Sequence, residues 1–124
     1  MIDLTIEILD SASGKMAAGV SIEIRKIENG NWVQLEDAQT GSDGKAVLCD
    51  APTIADGGYF EVLVFLGAYF DQTGRDLPQI KMVDIVPLRF GLEPVTTGID
   101  LRMTISPTSY STAFSTRAKR LNLV

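Results

Sequence analysis

The chain has 124 residues, a single cysteine, no histidine and a net charge of −5, with 45% hydrophobic and 22% charged residues. This is the length and balance of one ordinary globular domain. The acidic charge argues against nucleic acid and against an anionic membrane surface. Cys49 has no partner for an internal disulfide, and zinc or iron–sulfur centres lack their usual Cys and His ligands, so no metal and no cofactor are expected.

The chain opens "MIDLTIEILD", with acidic residues where a secretory leader would carry basic ones. No apolar run approaches the roughly 18 residues of a membrane span. A cytoplasmic location is expected, although a processed precursor would read the same way. In "LTIEIL", Leu4, Ile6 and Ile8 share one face and Thr5 and Glu7 the other. Ser13-Gly14 is a turn. "VSIEIRKI" then alternates Val20, Ile22 and Ile24 with Ser21, Glu23 and Arg25. Asn29-Gly30-Asn31 turns into a short candidate strand, Trp32 to Leu35. Ser42-Asp43-Gly44 turns into another, Lys45 to Leu48.

"YFEVLVFL", Tyr59 to Leu66, is a long β-favouring run. "LGAYFDQTGRDLP", Leu66 to Pro78, breaks the alternation and holds a short helix or a loop. "IKMVDIVPLRF", Ile80 to Phe90, and "IDLRMTI", Ile99 to Ile105, read as further strands. Pro87 marks an edge or a bulge, because it cannot donate to a ladder. "SPTSYSTAFST" follows as an ordered strand after a bend at Pro107. Trp32, Tyr59 and Phe60 are expected as core or interface aromatics. Seven or eight short strands, closely spaced by turns, predict an all-β sandwich. The domain spans residues 1–116. Residues 117–124, with the basic run Arg117 to Arg120 at their start, form a C-terminal extension expected to run outward.

The punctuating residues also resemble a known family. "LTIEILDSASGKMAAGV" is similar to the first strand and turn of the transthyretin and 5-hydroxyisourate hydrolase family. Trp32, Leu35 and "GSDGK" resemble its next segment, where a cation follows Asp-Gly. Gly58-Tyr59 and Tyr69-Phe70 fit a Gly-X-Tyr strand and a tyrosine after the helix. "VPLRFGLEPVTTGIDLRMTISPTSYST" resembles the C-terminal segment of the hydrolases without a gap, and its Ser-Pro-X-X-Tyr-Ser-Thr element is the most specific part. The resemblance implies a transthyretin-like β-sandwich of two sheets, seven or eight strands with one short helix, assembled as a homotetramer, a dimer of dimers, around a channel with two ligand sites.

It also implies a site that this chain has rebuilt. The hydrolases use a His on the first strand, an Arg after the Asp-Gly turn, a His on the penultimate strand and a terminal Tyr-Arg-Gly-Ser. The corresponding positions hold Glu7, Lys45, Asp100 and the run Ala113, Phe114, Ser115, Thr116. The hydrolases' mechanism does not carry over to these residues. Transthyretin has a Lys on the first strand and a Glu after the turn, the same two charges in swapped positions.

Alternation alone gives the inventory. Asp100, Arg102 and Thr104 share the face opposite Leu101, Met103 and Ile105. In the last strand, Tyr110, Thr112 and Phe114 should pack inward, leaving Ser109, Ser111, Ala113 and Ser115 on the channel face. If the polar faces meet at the channel, Glu7, Lys45 and Asp100 are the candidate catalytic groups. Arg102, Thr104, Ser111 and Ala113 then bind the substrate. Two carboxylates and two cations suit a small polar ligand, anionic or zwitterionic, over an apolar one. Two readings stay open. One is an enzyme acting on a small polar heterocycle or oxo-acid by ring opening, lyase or isomerase chemistry. In the other, Glu7–Lys45 and Asp100–Arg102 are ion pairs on the wet wall of a non-catalytic binder or structural tetramer. Ser111 has no histidine to activate it, which excludes Ser–His catalysis.

Overall fold

A computed structural model describes residues 3–48, 54–94 and 98–116. In chain order its elements are β1 (Leu4–Asp10), β2 (Lys15–Met16), β3 (Ser21–Glu28), β4 (Asn31–Gln39), β5 (Lys45–Leu48), β6 (Gly58–Phe65), α1 (Leu66–Gln72), β7 (Ile85–Leu92), β8 (Ile99–Ser106) and β9 (Ser109–Thr116). The nine strands among the described residues form two sheets, one more strand than expected because the turn at Ser13-Gly14 folds back into the two-residue β2. The first sheet runs β2-β1-β8-β9, with β5 pairing β1 along the same side as β2. The second runs β4-β3-β6-β7. All pairings are antiparallel except β1 with β8.

Period-two alternation explains which faces meet. Leu4, Ile6 and Ile8 of β1 and Ile99, Leu101, Met103 and Ile105 of β8 are buried against Ile22, Ile24, Phe60, Val62 and Val64 of the second sheet. Burying each of these side chains is worth ~2 kcal/mol, so this inner layer holds the sandwich together. β7 is the edge that Pro87 predicts. Phe90 of β7 lies 5.1 Å from Phe114 of β9, ring to ring, and joins the two edges.

Other expectations change as well. The strand expected from Ile80 starts only at Ile85. Residues 80–84 instead close onto α1: the Asp84 carbonyl accepts from Leu66 N–H at 3.0 Å, and Lys81 pairs with Asp71 at 2.9 Å. Tyr69 and Phe70 lie inside α1, not after it. Phe60 is core, but Tyr59 is 64% exposed, because it takes the outward parity of β6. Trp32 is half-buried, with the Arg89 guanidinium 4.8 Å above its ring. Residues 117–124, and with them the expected outward path of the extension, lie outside the described residues.

Candidate functional site

Gly44 fixes one corner of the polar face. Its φ is +73°, and a Cβ there would sit 2.6 Å from the Ile8 carbonyl oxygen and 2.9 Å from Met16 Cβ. Only glycine fits so close to β1. Ile8 N–H then donates to the Gly44 carbonyl at 2.9 Å, and Asp43 Oδ1 accepts from Lys45 N–H at 3.1 Å. These bonds dock the start of β5 on β1 with Lys45 directly opposite Glu7. Lys45 Nζ stands 3.6 Å from Glu7 Oε2, the two side chains being 52% and 39% exposed.

Strand register extends this pair into a row. Glu7 lies opposite Arg102 across the parallel β1–β8 ladder, and Arg102 lies opposite Ala113 of β9. Lys45, Glu7, Arg102 and Ala113 therefore line up across four strands, roughly 14 Å from end to end at the usual strand spacing. The neighbouring row on the same face runs Thr5, Asp100, Ser115. The row on the other side runs Leu9, Thr104, Ser111. All seven residues singled out from the sequence stand on one face of one sheet. Two cations bracket Glu7, and the second carboxylate, Asp100, is one row away and half-buried. Arg102 is exposed and makes no ion pair with any described residue. Asp100 and Arg102 are neighbours along one strand, and Arg102 stands beside Glu7 across the ladder. All of β9 is exposed on the single chain, Tyr110 at 48% and Phe114 at 41%, so the inward packing expected of Tyr110, Thr112 and Phe114 is not observed; β9 is an edge strand, although Phe114 still meets the Phe90 ring.

A second charged group escaped the sequence reading. Asp10 ends β1 at 0% exposure. Its carboxylate accepts from Tyr69 Oη at 2.9 Å, Arg75 Nη2 at 2.6 Å, Ala12 N–H at 3.0 Å and Ser13 N–H at 3.3 Å. Burial alone would push its pKa up, but the hydrogen bonds from Tyr69, Arg75 and Ser13 outweigh it and hold the carboxyl below its ordinary value. Burial, then the Asp10 hydrogen bond, pushes the Tyr69 phenol up to about 12. The Arg75 guanidinium also lies 5.6 Å from the Phe70 ring centroid. The signal was available: Asp10 shares the inward parity of Leu4, Ile6 and Ile8, and a carboxylate there must find partners. This network ties β1 to α1 and the loop after it, on the core side of the sheet that carries the charged row.

Among the described residues no helix is long and apolar enough to cross a membrane, and no three His, Cys, Asp or Glu side chains cluster to hold a metal ion. A profile of the HIUase/Transthyretin family matches residues 4–113. A 5-hydroxyisourate hydrolase of Mesorhizobium japonicum is 37% identical over 113 residues, covering 88% of each chain. Among solved structures, transthyretin from Sparus aurata superposes with a TM-score of 0.80 at 21% identity, covering 93% of this chain and 97% of its own. An (S)-allantoin synthase superposes with a TM-score of 0.81 at 24% identity over 92% of this chain, which spans 43% of that protein's chain.

Proposed function

The chain belongs to the HIUase/Transthyretin family, and on that premise we propose that it is an enzyme acting on a small polar heterocycle or oxo-acid, with its site on the charged row. The observation that supports this is the register that places Lys45, Glu7 and Arg102 side by side. Its relatives include proteins named 5-hydroxyisourate hydrolase, which favours a cyclic, anionic, nitrogen-rich substrate. Lys45 and Arg102 hold anionic oxygens of the substrate. A ligand oxygen arriving at Lys45 competes with Glu7 for the ammonium and releases the Glu7 carboxylate. Glu7, or Asp100 from the next row, takes a proton from water. The water oxygen adds to a ring carbonyl, the ring C–N bond breaks, and the proton passes to the leaving nitrogen. Thr104, Ser111 and Ala113 shape the remaining wall.

The same proposal includes assembly. β9 and β7 are open edges side by side, and open edges of this length pair. A homotetramer, as a dimer of dimers, brings copies of the charged face together and shelters the row from bulk water. A cytoplasmic location belongs to this reading. Light scattering should give about four times 13.4 kDa, and a monomer at micromolar concentration would remove the sheltered site.

Turnover is tested with hydroxyisourate, made from urate by urate oxidase, and with a panel of cyclic ureides and oxo-acids. The expected result is decay faster than the spontaneous rate for at least one compound, lost in Lys45→Met. The second reading is a non-catalytic binder, which the Glu7–Lys45 ion pair favours because each charge already has its partner. Binding that weakens in Lys45→Met, with no compound turned over, would establish the binder and overturn the enzyme.

A further inference from the structure

Ile80 and Met82 are 89% and 80% exposed, the most exposed large apolar side chains described. With Phe70, Leu77 and Pro107 they line an apolar groove of about 320 Å³. One wall is the loop between α1 and β7. The other is the turn between β8 and β9, Pro107 and Thr108. An exposed apolar concavity on a small acidic domain marks a surface that something covers.

The fold indicates what covers it. β9 is an open edge, exposed along all eight residues. When two copies pair antiparallel through this edge about a two-fold axis, the end of one β9 lies beside the start of the other. Thr116 of one copy then reaches Ser109 of its partner, and the next residues are delivered to the partner's Pro107-Thr108 turn, a wall of the groove. Eight residues follow Thr116 in the sequence, "RAKRLNLV". Extended, they reach roughly 26 Å. Their cations come first, and Leu121, Leu123 and Val124 come last, where apolar side chains are needed. Within one copy the geometry is worse: Thr116 pairs with Ile99, at the opposite end of the β8–β9 hairpin from the turn.

We propose that residues 117–124 of one copy occupy the Ile80–Met82 groove of a second copy, with Leu121 and Leu123 filling it. This rests on the edge-pairing part of the assembly proposed above. The extension thereby becomes a reciprocal clasp that latches the paired edges.

The test is a disulfide trap in full-length protein with Cys49→Ser, so that no other thiol competes. Met82→Cys together with Leu123→Cys, mildly oxidised, should give a covalent dimer of about twice 13.4 kDa on a non-reducing gel. Neither single-cysteine variant should give it. A linked species of monomer mass means the extension folds back on its own chain and overturns the proposal. Sedimentation of the same reduced variant separates the two failures. An oligomer without the trap sinks the clasp alone; a monomer sinks both the clasp and the assembly. In a second measurement, Leu121→Asp with Leu123→Asp should uncover the groove. Fluorescence of the apolar dye ANS should then rise several-fold at unchanged oligomeric state, and an unchanged signal would also overturn the clasp.

Discussion

Two carboxylates three residues apart on β1 have opposite fates. Asp10 faces inward, is fully buried, and is saturated by Tyr69, Arg75 and two backbone N–H groups. Glu7 faces outward, shares a single ion pair at 3.6 Å, and keeps much of its surface in solvent. Parity on one strand decides the difference. A buried carboxylate with four donors is committed to holding the fold. An exposed one between two cations remains available to a ligand. Substitutions at the two sites should therefore separate stability from function.

The largest expected effect is on the buried side. Asp10→Ala leaves Arg75 and Tyr69 without their shared acceptor, and breaking such a buried pair costs ~3 kcal/mol or more. Urea or thermal unfolding at fixed protein concentration should show it directly. Glu7→Ala, measured alongside, should stay within about 0.5 kcal/mol of the parent. Equal losses at the two positions would break the comparison.

On the exposed side the loss should appear in turnover. Lys45→Met should lower kcat/KM about 100-fold on whichever panel compound is processed, or ~2.7 kcal/mol of transition-state stabilisation. Its unfolding midpoint should barely move. A variant with lowered stability and normal turnover would place Lys45 with Asp10 as a structural group.

Strand parity was legible in β1 and β8 because one face of each is buried, so Leu4, Ile6, Leu101 and Met103 announce the core, and Glu7 and Arg102 the opposite face. Register across strands was not legible. Alternation in "KAVL" and "IDLRM" does not by itself say that Lys45 lies opposite Glu7, or that Arg102 continues that row; Gly44 and the parallel β1–β8 ladder set this. Residues 80–84 misled for a related reason. Ile80, Met82 and Asp84 share one parity and Lys81, Val83 and Ile85 the other, so the segment mixes apolar residues on both and carries no clean inward face. Its backbone carbonyl at Asp84 is engaged by the start of α1, so the segment bends before it can pair. The partners of Asp10 were equally hidden, since Tyr69 and Arg75 lie about sixty residues away on a helix and a loop.

Burial of Tyr69, and then its bond to Asp10, adds a pH signature to the buried side. The folded pKa of Tyr69, about 12, lies above its ordinary value of 10.0. Its contribution is intact below pH 10 and is lost as pH climbs through 12, for a total of ~3 kcal/mol. Asp10 acts in the opposite sense: its lowered pKa contributes stability above the ordinary carboxylate value of 3.8, lost as pH falls below it. Tyr69→Phe should flatten the alkaline loss between pH 10 and 12 and leave the acid limb in place, shallower because one donor to Asp10 is gone. An alkaline limb unchanged in Tyr69→Phe would assign it to another group.

The smallest effect is the most discriminating for the charged row. Glu7→Lys with Lys45→Glu restores the pair with its charges exchanged, at positions that face each other directly across two strands. Each single change puts like charges opposite one another, which is destabilising. The double change removes that repulsion. Because both side chains are well exposed, solvent screens the pair, and the coupling from a double-mutant cycle should be ~0.5 kcal/mol. Salt of about 1 M should erase most of it. Arg102 makes the exchange asymmetric: Glu7→Lys places a third cation in the row, beside Arg102 across the β1–β8 ladder, and the exchange moves the carboxylate to β5, one strand farther from Arg102. Folding should thus recover in the double variant while turnover should not, since a base between two cations cannot be rebuilt by swapping its neighbour. Recovery of both would mean that only the ion pair matters, and the binder reading would gain. Strict additivity at low salt would show that the 3.6 Å contact carries no energy at all.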